Sequence, residues 1–312
     1  MKKRVNVPLI IGLVIIVLLI GVMVFESSLK TSDTDTMRRG NFEWVNGEMV
    51  FYDAPGPPDS EFIMGTDVIG RDIYSRLIAG TKLTLGMAAL TVLFRFLIGF
   101  PIGIAAGFNN RFCMWLTKTF STIFSAIPAL LFSIVILSRY ELHYLTLGRS
   151  ILAFAIVMTF VGWNRIAKIT QEQTRNVLTQ DFIEGEIAIG KGRIMMIIQN
   201  VLPHIMPVVI TAVTMEFARA LMLLAELGLF GVYAGPTVLS GEDMAMLGLT
   251  GATPPSNYPE WGGILAAGRY GMIVKKYWLI IWPTMMFFVS ILGFNLLGEG
   301  LSLHINRRRV RG

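Results

Sequence analysis

Gly185-Glu-Ile-Ala-Ile-Gly190-Lys191-Gly192 nearly spells a phosphate-binding loop, Gly-x-x-x-x-Gly-Lys-Ser/Thr. Such a loop needs a hydroxyl at its last position to reach Mg²⁺, and a strand ahead of it. Gly192 stands at that last position, and no buried strand precedes the motif. Nucleotide hydrolysis is therefore not expected of this chain. The apolar runs carry no His-Glu-x-x-His and no paired catalytic carboxylates, so no catalytic residue and no metal ligand are assigned. One cysteine, Cys113, excludes an intrachain disulfide framework. His143, His204 and His304 are widely spaced, which argues against a His-rich metal site. The remaining candidates are charges inside apolar runs: Arg95, Glu216, Arg219 and, near the end of its run, Glu226. Charges in such runs are costly and usually face a cavity or a partner. Glu216 and Arg219 are three apart and share a helix face. They are expected to face the bundle interior or a second subunit. There they either line a solute path or form an internal ion pair that only fixes helix position.

The elements that must hold these residues are membrane spans. Hydrophobic residues make up 54% of the chain and charged residues 15%, whereas a soluble domain carries about 25% charged residues. The net charge of +6 sits beside apolar runs and reads as a topology signal, not as a nucleic-acid patch. A helix needs about 20 apolar residues to cross a bilayer. On that measure six spans are expected: 7–25, 83–107, 114–137, 148–163, a fifth from Pro203 to Phe230, and 278–297. The first resembles a signal peptide in its Lys2-Lys3-Arg4 flank. It is too long for one and lacks a small-residue cleavage site, so residues 1–25 are expected to stay as an anchor.

Six spans put both termini on one side. Lys2, Lys3 and Arg4, then Arg111 and Lys118, then Arg165, Lys168, Arg175, Lys191 and Arg193, then Arg307, Arg308, Arg309 and Arg311 all fall there. The positive-inside rule makes that side cytoplasmic, with residues 301–312 as a basic tail. Residues 26–82 and 231–277 are then extracellular, as their Pro, Gly, Asp and Glu content suits. Within the first of these, 42–52 reads as a hairpin with Asn46-Gly47 at a type I′ turn. Gly99, Gly103 and Gly107 repeat every fourth residue and offer a flat face for helix packing. Pro101 and Pro128 are candidate kinks.

Three patches carry a resemblance. Phe182-Ile-Glu-Gly-Glu-Ile-Ala-Ile-Gly190, running on to Leu202-Pro203, resembles the Glu-Ala-Ala loop of ABC importer membrane subunits. Gly65-Thr-Asp67-Val-Ile-Gly70-Arg71-Asp72-Ile-Tyr-Ser75-Arg76 is similar to a block in the dipeptide, oligopeptide and nickel branch of that family. Pro254-Pro255 through Trp261-Gly262, and Asn295-Leu-Leu-Gly298-Glu299 near the chain's end, match it as well. Physically, Thr66 or Asp67 can cap a short helix, and Asp72 and Arg76 are spaced to pair. Phe182, Ile183, Ile187 and Ile189 are apolar knobs on a short helix, and Gly190 and Gly192 permit a sharp turn.

The resemblance implies an all-α type I importer permease fold with about six transmembrane helices, a transmembrane domain over 83–300, a coupling loop at 181–203 and extracellular inserts. It implies that Phe182, Ile183, Glu184, Glu186, Ala188, Gly190 and Gly192 dock a separate ATPase. Glu184, Ala188 and Gly190 match the family motif, while Gly185 and Glu186 replace its two alanines. It assigns Asp67, Arg71, Asp72, Arg76 and Trp261 to the extracellular gate or docking face; anchoring the helix at the surface, or Trp261 at the bilayer interface, is the alternative. Glu216, Arg219 and Arg95 would then lie on the path or at a partner interface. Expected partners are a second homologous permease, two ATPases, an extracellular solute-binding protein and membrane lipid, with no nucleic acid. No cofactor is expected on this chain, ATP and Mg²⁺ belonging to the ATPases. The expected activity is alternating-access import of peptides or nickel-type solutes. A stand-alone secondary transporter or channel is the rival; it would show inverted repeats, and none is evident.

Overall fold

A computed structural model describes residues 6–37, 42–45, 48–51, 54–138, 145–246, 249 and 253–309. Among these, five helices are long and apolar enough to cross a membrane, and the count is six when a bent pair is taken as one span. The long helices are α1 (Val7–Val24), α3 (Ile73–Gly107), α6 (Leu147–Leu178), α9 (Leu202–Leu229) and α13 (Trp278–Arg309). The bent pair is α4 (Arg111–Ala126) and α5 (Ala129–Leu137), which meet at 89°. Short helices fill the connections: α2 (Glu26–Leu29), α7 (Asp181–Ala188), α8 (Arg193–Met196), α10 (Gly241–Met246), α11 (Trp261–Gly268) and α12 (Tyr270–Ile273).

The spacing of small residues sets the central pairing. A Cβ added at Gly99 would lie 2.5 Å from the Trp163 carbonyl, and one at Gly103 2.5 Å from that of Ala167. Real Cβ contacts are never that short, so these glycines let α3 and α6 close backbone to backbone. At the N-terminal end, the Asn6 side chain accepts from Leu9 N to cap α1 and donates to the Gly300 carbonyl of α13 at 2.7 Å. The outward face of α1, including Val17 and Leu18, is exposed and suits lipid.

Pro128 explains the bend. A residue before proline is pushed out of the helical region, and Ile127 has φ −107° and ψ 120°. Phe124 and Phe132 meet edge to face across the break at 5.7 Å, and both rings pack on Phe160 of α6. The expected kink is thus a right-angled turn, and the expected span 114–137 is two helices.

Three helices run past the expected limits of their apolar stretches. Helix α3 begins at Ile73, not at residue 83, because Asp72 accepts from Tyr74 N and Ser75 N and starts it early. The cap is therefore Asp72, and neither Thr66 nor Asp67 serves as one. The helix that carries the fourth span does not end at Trp163: α6 continues to Leu178 as an amphipathic extension that apolar counting passes over. Residues 301–309, read as a tail, continue α13.

The expected hairpin forms as two antiparallel strands, β1 (Phe42–Val45) and β2 (Glu48–Phe51), with Val45 opposite Glu48. Its Asn46-Gly47 turn lies outside the described residues, as do Lys2, Lys3, Arg4, His143 and Arg311. Packed against α3, α9 and α13, α11 is buried along its whole length.

Candidate functional site

Glu216 is fully buried on α9 and holds two arginines. Its Oε2 accepts from Arg95 Nη1 of α3 at 2.8 Å, and its Oε1 accepts from Arg219 Nη1 at 2.6 Å. Arg95 is also buried, and its Nε and Nη2 donate to the Met158 carbonyl of α6 at 3.1 and 2.8 Å. One charge network therefore ties three spans together. Gly162 makes room for it, since a Cβ there would lie 2.2 Å from Arg95 Nε.

Arg219 is not sealed in: 45% of its side chain is exposed. It lines a cavity of about 290 Å³ together with Arg95, Arg165, Glu226 and apolar residues of α6 and α9. The two members of the Glu216–Arg219 pair therefore differ in surroundings. Glu216 is an internal clamp, while Arg219 faces open space. Arg165 was expected to be a cytoplasmic topology signal. The continuation of α6 puts it in this cavity, and only the full length of that helix would have revealed it.

The connection from α6 to α9 is built upward from one buried side chain. Ile183 packs among Val177, Met196, Val201, Ile205 and Val209. This pins α7 to the bundle and leaves Ile187, Ile189 and Ile194 largely exposed. Phe182, on the same short helix, stacks on His204 at 5.3 Å. Glu184, Ala188, Gly190 and Gly192 are exposed. Gly190 closes α7 with φ +79°, the left-handed conformation glycine tolerates after a helix. Gly192 has φ −67° and needs no such freedom, so the expected use of both glycines reduces to one.

Glu186 turns inward instead of outward. It pairs with Lys191 at 2.9 Å and accepts from Asn200 Nδ2 at 3.2 Å, while Lys191 Nζ donates to Asn200 Oδ1 at 2.7 Å. Lys191 and Asn200 hold its carboxyl below the usual carboxylate range. Asn200 lies in a π turn, Ile197–Val201, that joins α8 to α9. The triangle fixes the loop to the base of the long helix. The near phosphate-binding sequence is therefore a helix end and a turn, with Lys191 engaged.

At the opposite ends of the spans, the five residues expected on a docking face are all buried. Asp67 pairs with Arg71 at 2.8 Å, so the i, i+4 pair is Asp67–Arg71 and not Asp72–Arg76. Arg71 Nη1 and Arg76 Nη2 both donate to the Ser256 carbonyl at 3.0 Å. Arg76 also reaches the carbonyls of Thr34 and Tyr258. Asp72 accepts from the hydroxyls of Thr31 and Ser32. Trp261 is 0% exposed and its Nε1 donates to the Leu77 carbonyl at 2.8 Å. It is an internal strut and not an interfacial anchor. The five side chains form a clasp that ties both long loops to α3, and they leave no polar face of their own for a partner. Beside it, Glu260 caps α11 by accepting from Gly262 N and Gly263 N at 2.8 Å each. Burial pushes its pKa up to about 7 against the opposing effect of those two amides.

Residues 99–311 match the family described as the binding-protein-dependent transport system inner membrane component. The chain is 28% identical over 242 residues to the di/tripeptide transport system permease protein DppC of Pseudomonas aeruginosa, covering 78% of this chain and 71% of that one. It is 26% identical over 292 residues to the dipeptide transport system permease protein DppC of Alkalihalophilus pseudofirmus, covering 94% and 83%. It is also 25% identical over 244 residues to the glutathione transport system permease protein GsiD of Pectobacterium atrosepticum, covering 78% and 72%.

Proposed function

The chain belongs to the binding-protein-dependent transport system inner membrane component family and is a permease subunit of an ABC importer, and on that premise we propose that it imports short peptides as one half of a two-permease path. It is a multi-pass protein of the cytoplasmic membrane whose family works with ATPase and binding-protein partners. The peptide class is supported by the relatives' transport of dipeptides, tripeptides and glutathione.

In this reading α7 and the turn after it are the surface an ATPase grips, and they lie in the cytoplasm with both termini. The single observation that carries this is the split of isoleucines along α7 and the residue that ends it. Ile183 is buried in the bundle while Ile187 and Ile189 stand 59% and 79% exposed beside it. A short helix that is anchored by one residue and offers two neighbouring apolar ones is suited to a groove on another protein. The groove must be apolar with basic rim residues, because Asp181 and Glu184 flank the exposed isoleucines. ATP-driven closure of two such partners would move α7, and with it α9 and the buried Glu216 network.

The test is Ile187→Asp in the assembled importer. Loss of ATPase co-purification and of ATP-dependent uptake is expected. Undiminished uptake with the ATPase still bound would overturn the assignment of this surface.

A further inference from the structure

Arg165 and Glu226 have no role in the network that Glu216 closes. Neither forms an ion pair among the described residues, although Glu216 has both its oxygens occupied nearby. Both line the cavity of about 290 Å³ that Arg219 enters from α9. Arg165 stands well inside α6, about 27 Å along its axis from Leu147 at 1.5 Å per residue. Arg165 is exposed and Glu226 half-buried, so both charges are open to the cavity, and charges within apolar spans usually face a cavity or a partner.

Their arrangement is polar in one direction. On α9, Arg219 and Glu226 are two turns apart, about 10 Å along the axis. Arg165 and Arg219 come from different helices to the same cavity, which Arg95 also lines, and both stand nearer than Glu226 to the helix ends that lead into the 181–203 connection. Glu216 neutralises Arg95 and binds one Nη of Arg219, so the cavity keeps an excess of positive charge beside Arg165 and Arg219. Glu226 sits nearer the opposite end of α9. An extended chain rises about 3.3–3.6 Å per residue, so two or three residues span this interval once the side chains reach inward. The volume lies at the lower limit of small-molecule sites, about 300 Å³.

We propose that this cavity is the transit site for a short zwitterionic peptide, its free carboxylate held between Arg165 and Arg219 and its ammonium group at Glu226. The assignment rests on the importer reading above and names the chemistry that the path recognises. Arg guanidinium is suited to the first task because it presents paired donors to a carboxylate. Glu216 is then a positioning residue: it orients Arg219 toward the cavity and touches no solute.

The test uses the full importer, with its second permease, ATPases and binding protein, in liposomes. ATP-driven uptake is measured for a free dipeptide, for its C-terminal amide and for its N-acetyl form. Ratios are taken within each variant, which cancels what the binding protein contributes to selectivity. Arg165→Gln is expected to lower the acid-to-amide ratio by about tenfold, as for a site that loses its partner for a polar group. Arg165→Lys should retain most of the ratio, and Glu226→Gln should lower the ratio of free dipeptide to N-acetyl form instead. Ratios equal to wild type in both Arg165→Gln and Glu226→Gln overturn the transit site while leaving the importer intact. Should Arg165→Gln fail to assemble, Glu226→Gln decides alone, an unchanged ratio overturning the proposal. A wild-type assembly that moves none of the three peptides with ATP overturns the peptide-importer reading itself, and the transit site with it.

Discussion

Arg95 and Glu216 meet at 2.8 Å, 121 positions apart in sequence, and are almost fully buried. A buried pair contributes little net stability when compared with apolar residues of the same shape, but breaking it leaves an uncompensated charge. Glu216→Ala strands two arginines. It is expected to destabilise the fold by about 3–5 kcal/mol, read as a lower unfolding midpoint in detergent. Replacing Arg95 and Glu216 together by Met should recover much of that loss. An equally unstable double variant would show that the network stabilises through something besides charge pairing.

Gly162 is a second handle on the same pair. Its missing side chain accommodates the Arg95 guanidinium. Gly162→Ala should therefore weaken folding by about 1–3 kcal/mol, the usual cost of overpacking. Thermal unfolding of the solubilised subunit checks this.

On α7 the glycines divide by conformation. Gly185 has open space around its Cα, so Gly185→Ala should stabilise the short helix by up to about 1 kcal/mol through helix propensity. Gly190 has φ +79°, and Gly190→Ala should destabilise it by about 1 kcal/mol or more. Protection of the α7 amides from hydrogen exchange would report both, in opposite directions.

Glu260 predicts a pH effect at the clasp. Its folded pKa, about 7, lies above its ordinary value of 4.5. The folded state therefore holds the proton more tightly than the unfolded chain. That contribution to stability is complete below about 4.5 and is lost as pH rises through about 7. Glu260→Gln can still accept one amide hydrogen bond and does not titrate. The unfolding midpoint of the wild type should fall across this window relative to that of the variant; parallel curves would contradict the assignment.

How far the sequence alone reached depends on what each residue's signal was. The glycines at 99, 103 and 107, the break at Pro128 and the shared face of Glu216 and Arg219 were legible because each is a local pattern with one physical meaning. Arg165 was not, because Asn164 and Arg165 ended the apolar run and made the helix look finished. Helix α11 was missed because eight residues cannot cross a bilayer, and length was the criterion for a span. The same limit hid the burial of Trp261: a tryptophan beside an apolar run suits the interface as well as the interior. The short helix that Thr66 or Asp67 was expected to cap does not form, and Asp72 caps α3 instead; all three residues are good caps, and only the fold of the loop selects among them.

From Arg193 to Leu229 the backbone stays helical, with a single π turn at Ile197–Val201. That makes a strut of 37 residues, about 55 Å at 1.5 Å per residue. Its foot belongs to the loop beside α7 and its shaft carries Glu216, Arg219 and Glu226. Tilting the foot must therefore swing all three carboxylate and guanidinium groups in step, with no separate relay to time them. The widened π turn and Pro207 are the places where such a lever can flex, so their stiffness would set how much of any movement of the foot arrives at the charges.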